Sequence, residues 1–201
     1  MKQISQGAEA VLLSDGKLVR KHRVSKSYRH PEIDRKLRQF RTRREAKVIS
    51  KLQELQIPGP KLLAADDKSM QIDMSFIEGP KIRDVISIKN HYDISFDIGK
   101  KIGAMHKHGI IHGDLTTSNM IYHKENVHFI DFGLSFFSDR IEDMAVDLHL
   151  FRQALESKHH TIWQRCFEAA VAGYKECHHS AEKVLERFRK VESRGRYKER
   201  Y

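Results

Sequence analysis

Along the first third of the chain the apolar residues change period twice. Ile4 to Leu13 reads as strand, turn and strand around Gln6-Gly7-Ala8-Glu9-Ala10, and Lys17-Leu18-Val19-Arg20-Lys21-His22 alternates like a strand after the turn Ser14-Asp15-Gly16. From Ile33 onward the step lengthens. Ile33, Leu37, Phe40, Val48, Ile49, Leu52 and Leu55 recur every three or four residues, which predicts a long amphipathic helix or two joined ones. Pro58-Gly59-Pro60 stops it. Lys61 to Ala65 and Met70 to Met74 then predict two strands about the turn Asp66-Asp67-Lys68-Ser69, completing a sheet of five.

Beyond that sheet the pattern turns helical. Ile94, Ile98, Ile102 and Met105 form one stripe of a helix over Ser95 to His108, ended by Gly109. Two short β-type runs follow, Asn119-Met120-Ile121-Tyr122 and Val127-His128-Phe129-Ile130. Ile141 to Leu148 starts another helix. Trp163, Phe167, Val171 and Tyr174 mark the apolar face of the next, and Val184, Leu185, Phe188 and Val191 that of a last one. The expected fold is α+β, with a five-stranded N-terminal lobe over residues 1–77 and a smaller helical lobe over 78–192. A basic, aromatic tail over 193–201 reads either as a disordered end or as a strip that touches RNA or folds back on the site.

Composition narrows the class. A chain of 201 residues, 39% hydrophobic and 32% charged, can bury a sizeable core under a heavily charged surface. No apolar run approaches a membrane span of about eighteen residues, and the N-terminus lacks a signal peptide's apolar core, so no membrane contact and a cytoplasmic location are expected. Cys166 and Cys177 would stand about 16 Å apart along a helix, too far to bond. His159-His160 and His178-His179 have no carboxylate or cysteine partner at ligand spacing, which argues against a metal site. The formal charge of +10 favours phosphate-bearing or acidic partners.

The chemistry concentrates in His112-Gly113-Asp114-Leu115-Thr116-Thr117-Ser118-Asn119 and in Asp131-Phe132-Gly133. Phosphoryl transfer leaves a protein little covalent work: one carboxylate must orient the attacking oxygen while others hold a metal on the phosphates. Asp114 fits the first role, and Asn119 and Asp131 the second. Gly7, Ala8 and Glu9 occupy the turn where a phosphate-covering loop belongs. Lys21 is placed to reach the α- and β-phosphates, Glu45 to pair with it, and Ile77 and Glu78 to form the adenine-binding hinge. Asp147 is a buried acid suited to accept N–H bonds from the catalytic loop. After Asp131-Phe132-Gly133 the usual long activation segment is missing.

Five stretches together resemble a known family: Gln6-Gly7-Ala8-Glu9-Ala10; Lys21-His22-Arg23 with Lys26-Ser27-Tyr28-Arg29-His30-Pro31; Arg41-Thr42-Arg43-Arg44-Glu45-Ala46; the loop from His112 to Asn119; and Glu142-Asp143 through Asp147-Leu148, with a terminal Arg194-Gly195-Arg196. The sequence is similar to the small atypical kinase or ATPase subunit of the KEOPS complex, a relative of the RIO kinases. That resemblance implies a bilobal protein-kinase-like fold with a reduced C-lobe, and binding of ATP and Mg2+. It also implies work within an assembly that installs threonylcarbamoyl on adenosine in tRNAs reading codons that begin with adenine. It further implies a metal-binding transferase subunit on the C-lobe side and a small regulatory subunit on the N-lobe side, with Lys21, Glu45, Asp114, Asn119 and Asp131 in the family's catalytic roles. Arg20 departs from the aliphatic residue usual at its position. Two rival readings are a small-molecule kinase of the aminoglycoside type and a scaffold switched by ATP.

Overall fold

The computed structural model describes residues 1–7 and 9–196; Ala8 and residues 197–201 lie outside the described residues, as do the side chains of 195 and 196. Five strands form the N-terminal sheet: β1 (Lys2–Gln6), β2 (Val11–Ser14), β3 (Leu18–His22), β4 (Leu62–Asp66) and β5 (Gln71–Ser75), in the order β1-β2-β3-β5-β4 with antiparallel neighbours. Helix α1 (Pro31–Glu54) sits between β3 and β4 in sequence. Pro31 at its first turn presets the helical φ. Its buried face of Val48, Ile49 and Leu52 meets the inward residues of β5, Ile72 and Met74, while Asp73 and Ser75 alternate outward.

The rest is mostly helical. A four-residue helix, α2 (Ile82–Val85), precedes α3 (His91–Lys107); α4 (Ile141–Lys158), α5 (Trp163–Cys177) and α6 (Ala181–Arg196) follow. Two small antiparallel pairs lie between them. β6 (Ile110–Ile111) pairs with β9 (Phe136–Phe137), and β7 (Met120–His123) with β8 (Asn126–Phe129). The predicted strands and helices are present, and α3 begins four residues earlier than the stripe implied. Helix α6 runs through Arg196, so residues 193–196 of the stretch read as tail are helical, and Arg194 bonds Glu142 at 2.8 Å. One apolar core links sheet and helices, from Ile49 and Ile72 through Phe129 and Phe132 to Phe151 and Tyr174. Cys166 and Cys177 are both free.

Two features aim the functional loop. The β7–β8 turn uses Lys124 and Glu125 at φ 48° and 59°, the two-residue geometry that matches strand twist. It returns the chain so that Ile130 N–H donates to Asn119 O at 2.9 Å, which sets Asn119 beside Asp131. Gly113, at φ 78°, is required because a Cβ there would lie 2.7 Å from Leu134 O.

Candidate active site

A cleft between sheet and helical part holds most of the predicted residues. Lys21 emerges from β3 with its Nζ 2.7 Å from Glu45 Oε1 of α1 and 2.7 Å from Asp131 Oδ1. Lys21 and Glu45 are buried; the Asp131 side chain is half exposed. Burial alone would lower the pKa of Lys21, but Glu45 and then Asp131 outweigh it and hold it above its ordinary value. Burial would raise that of Asp131, but the Lys21 charge and hydrogen bond keep it below the usual carboxylate range. Asp131 also adopts φ 61°, a left-handed conformation uncommon for a non-glycine residue and typical of functional loops.

The catalytic loop is braced from beneath. Asp147 on α4 accepts the His112 and Gly113 backbone N–H groups, each at 2.8 Å, as the sequence suggested. His112 donates through Nε2 to Ile130 O at 3.2 Å and accepts the Asp114 N–H on Nδ1 at 3.3 Å, which selects one neutral tautomer. Its burial pushes the pKa down against the pull of Asp147. Asn119 Nδ2 donates to Asp114 Oδ2 at 2.8 Å and to Asp114 O at 3.1 Å, leaving the amide oxygen for a cation. One carboxylate plus one amide oxygen, with phosphates completing the shell, is a donor set that suits a hard cation such as magnesium.

Two adjoining cavities line this cleft. The first, about 350 Å³, is walled by Leu12, Val19, Met74, Ile121 and Ile130, with Ser75, Phe76, Ile77, Asn119 and Asp131 at its rim. A flat apolar ring fits between such walls. The second, about 250 Å³, is lined by Gly7, Glu9, Arg23, Arg41, Asp114 and Gly133. Lys21 and Asp131 border both.

Two of the predicted residues have partners elsewhere in the fold. Glu78 does not line the first cavity, and its carbonyl accepts a 2.6 Å hydrogen bond from His123 Nδ1; among the hinge candidates only Ile77 borders the pocket. Glu9 borders the second cavity with its carboxylate held by Arg41 and, at 3.1 Å, by Arg29. Burial would raise its pKa, but the two arginines keep it low. Sequence reasoning passed over Arg23, whose buried guanidinium pairs with the second oxygen of Glu45. Its place two residues after Lys21, on the same strand face, was the available signal. Arg20 is explained by a two-pronged bond to Asp73 across β3 and β5, at 2.8 and 2.7 Å.

Comparison with known proteins is informative at this point. Residues 14–147 match the RIO domain family. Over 215 aligned positions the chain is 41% identical to the KEOPS complex subunit Bud32 of Pyrococcus abyssi, covering 100% of this chain and 98% of that protein. The chain belongs to the Bud32 family of RIO-domain proteins. It is also 40% identical to a probable bifunctional tRNA threonylcarbamoyladenosine biosynthesis protein of Methanocaldococcus jannaschii, spanning 98% of this chain but 37% of that longer protein. Among solved structures, the Rio2 kinase of Chaetomium thermophilum in an ADP/Mg2+-phosphoaspartate complex superposes with a TM-score of 0.65 at 18% identity, over 100% of this chain and 71% of that one. That likeness establishes the kinase-like fold.

Proposed function

We propose that this member of the Bud32 family is an ATPase and atypical serine/threonine kinase that serves a cytoplasmic KEOPS-type assembly, supporting threonylcarbamoyl modification of adenosine in tRNAs reading codons that begin with adenine. The observation that carries the reading is the Lys21 ammonium shared between Glu45 and Asp131, three residues drawn together from a strand, a helix and a distant loop. The names of the Pyrococcus and Methanocaldococcus relatives supply the assembly and the modification. In this reading the apolar cavity takes adenine beside Ile77, Lys21 donates to the phosphates, and Glu45 fixes the lysine. Asp114, steadied by Asn119 Nδ2, orients the attacking hydroxyl or water and accepts its proton. Asn119 and Asp131 would hold magnesium, which when bound supplies positive charge against the phosphates. The C-lobe faces a metal-binding transferase subunit and the N-lobe a small regulatory subunit.

The short link from Gly133 to α4 offers no long platform for a peptide, so hydrolysis rather than broad protein phosphorylation is the expected main reaction. Phosphate release should rise when tRNA and the transferase subunit are added together, and Asp114→Asn should abolish both turnover and tRNA modification. Full modification by Asp114→Asn would instead make the chain a scaffold. Rapid phosphorylation of diverse peptides, indifferent to both additions, would defeat the assembly reading.

A further inference from the structure

The second cavity contains groups that nucleotide recognition by Lys21 does not use. Along the inward face of β3 and its continuation the residues are Val19, Lys21 and Arg23, each step about 7 Å. Val19 walls only the first cavity, Lys21 borders both, and Arg23 walls only the second. Asp114 also borders only the second. The direction from base to reacting phosphorus therefore runs along this strand face, with Arg23 at its far end.

We propose that Arg23 and Arg41 form a clamp for the transferred phosphoryl group and for the inorganic phosphate it becomes, and that Glu9 is the internal anion that occupies this clamp between turnovers. The inference rests on the nucleotide reading above and extends it to the terminal phosphate. Arg23 is 2% exposed and spends one terminal nitrogen on Glu45, while its Nε is buried without a partner among the described residues. A buried guanidinium N–H left unbonded is costly, and a tetrahedral oxyanion offers acceptors of the right number and charge. Arg41, which lines the same cavity, has Glu9 as its carboxylate partner, and Arg29 holds the same carboxylate. Arg44, packed on the Phe40 ring, has its pKa lowered first by burial and then by repulsion from Arg41 and Arg23, so this corner is electropositive despite Glu9 and Glu45.

In hydrolysis the water oxygen bonds to the terminal phosphorus, and the bond from that phosphorus to the bridging oxygen breaks with its electron pair going to ADP. The water proton leaves by way of the Asp114 carboxylate. Charge builds on the oxygens between the two, where the arginines stand. Glu9 must release Arg41 for the phosphoryl group to enter, and its return helps expel phosphate.

The test titrates inorganic phosphate into the ADP-loaded full-length protein, read by phosphorus NMR line broadening, with fluorescent ADP affinity measured separately. Arg41→Gln and Arg23→Lys should each weaken phosphate binding by about tenfold, the value of one lost charge-assisted hydrogen bond. Glu9→Gln should tighten it by about threefold or more, since a competing carboxylate is gone. ADP affinity should move by less than about twofold in Arg41→Gln and Glu9→Gln. Arg23→Lys keeps the charge beside Glu45, and Arg41 is partly exposed and paired with a loop carboxylate outside the apolar core, so folding does not limit the comparison. Phosphate affinity indifferent to all three variants, or weakened by Glu9→Gln, would overturn the clamp while leaving the nucleotide site standing. Failure of the wild-type protein to bind ADP would sink the nucleotide reading and the clamp together.

Discussion

Glu45 holds two cations with one carboxylate, Lys21 on Oε1 and Arg23 on Oε2, and is 1% exposed. Neutralising it strands two buried positive charges, whereas removing Lys21 leaves Glu45 its arginine and Asp131 half exposed to solvent. Glu45→Gln should therefore cost about 3–5 kcal/mol, a fall in melting temperature on the order of 10 °C, and Lys21→Met clearly less; a thermal melt of the two variants decides. A pH effect belongs to the same scale. His178 is buried and stacked on Tyr174, and burial foremost, with His106, His179 and Lys107 adding repulsion, lowers its pKa from the ordinary 6.5 to about 4. The unfolded chain takes up this proton near pH 6.5 and the folded one only near 4, so the stability due to neutral His178 is complete above 6.5 and is lost as pH falls toward 4. Below that window the depressed carboxylates such as Asp73 and Asp131 lose their share. Denaturant midpoints between pH 7 and 4 should show a slope that His178→Gln flattens; an unchanged slope would assign the acid sensitivity to His112 and His159, whose pKa values burial also lowers.

Between elements, what matters is how closely two backbones approach and which side chain bridges them. Helices α3 and α5 meet backbone to backbone: a Cβ on Gly99 would lie 1.8 Å from Ala170 O, and one on Gly173 would lie 2.1 Å from Phe96 O. Alanine gains about 1 kcal/mol of helix propensity over glycine, but this contact cannot admit a methyl without parting the helices, so Gly99→Ala should destabilise by about 3 kcal/mol or more in denaturant unfolding. Asp147 plays the bridging part between α4 and the catalytic loop, accepting from His112 N, Gly113 N and, at 3.2 Å, His106 Nε2. An asparagine there offers one acceptor oxygen where two are used, so Asp147→Asn should lose about 1–3 kcal/mol and misplace Asp114, with phosphate release falling more than nucleotide affinity. The sequence made Asp147 readable because a lone acid inside an apolar helical pattern needs donors. It made α1, β3 and the two loops readable because period and motif spacing agree there. Gly99 was not readable: a glycine within a helical stripe looks like a weak helix former until the facing backbone is known. The phase of Arg23 with Lys21 was legible, but its pairing with Glu45 and that of Glu9 with Arg41 were hidden, since partners 22 and 32 residues apart leave no local pattern. The place of Glu78 was not legible in its side chain, because which hinge backbone groups face the cavity depends on where the chain turns.

At the scale of the whole molecule the charge of +10 has to be divided between internal wiring and outward field. Helix α1 and its approach carry Lys26, Arg29, Arg35, Lys36, Arg38, Arg41, Arg43 and Arg44, yet much of that charge is paired within the fold: Arg38 with Asp34 at 2.6 Å, Lys36 with Glu32 at 2.8 Å, Arg43 with Asp67, and Arg41 with Glu9. The Arg41 and Arg43 pairs tie α1 to residues beside the sheet, those of Lys36 and Arg38 lie within the helix, and cations paired in either way contribute little to distant attraction. Arg35 and Lys47 differ, being exposed and without an anionic partner among the described residues; Lys47 lies over the Phe137 ring instead. If tRNA meets this face, those two contact phosphates and release counterions. The logarithm of RNA affinity should then fall linearly with that of salt, Arg35→Glu and Lys47→Glu each reducing the slope by about one. The double variant Arg20→Gln with Asp73→Asn, which deletes a matched internal pair, should leave the slope unchanged. Fluorescence anisotropy with unmodified tRNA between about 50 and 200 mM salt measures this range. A flat response in the wild-type protein would remove phosphate contact from the account, and a slope lowered as much by the matched pair as by Arg35 would show that net charge, rather than this face of α1, draws the RNA.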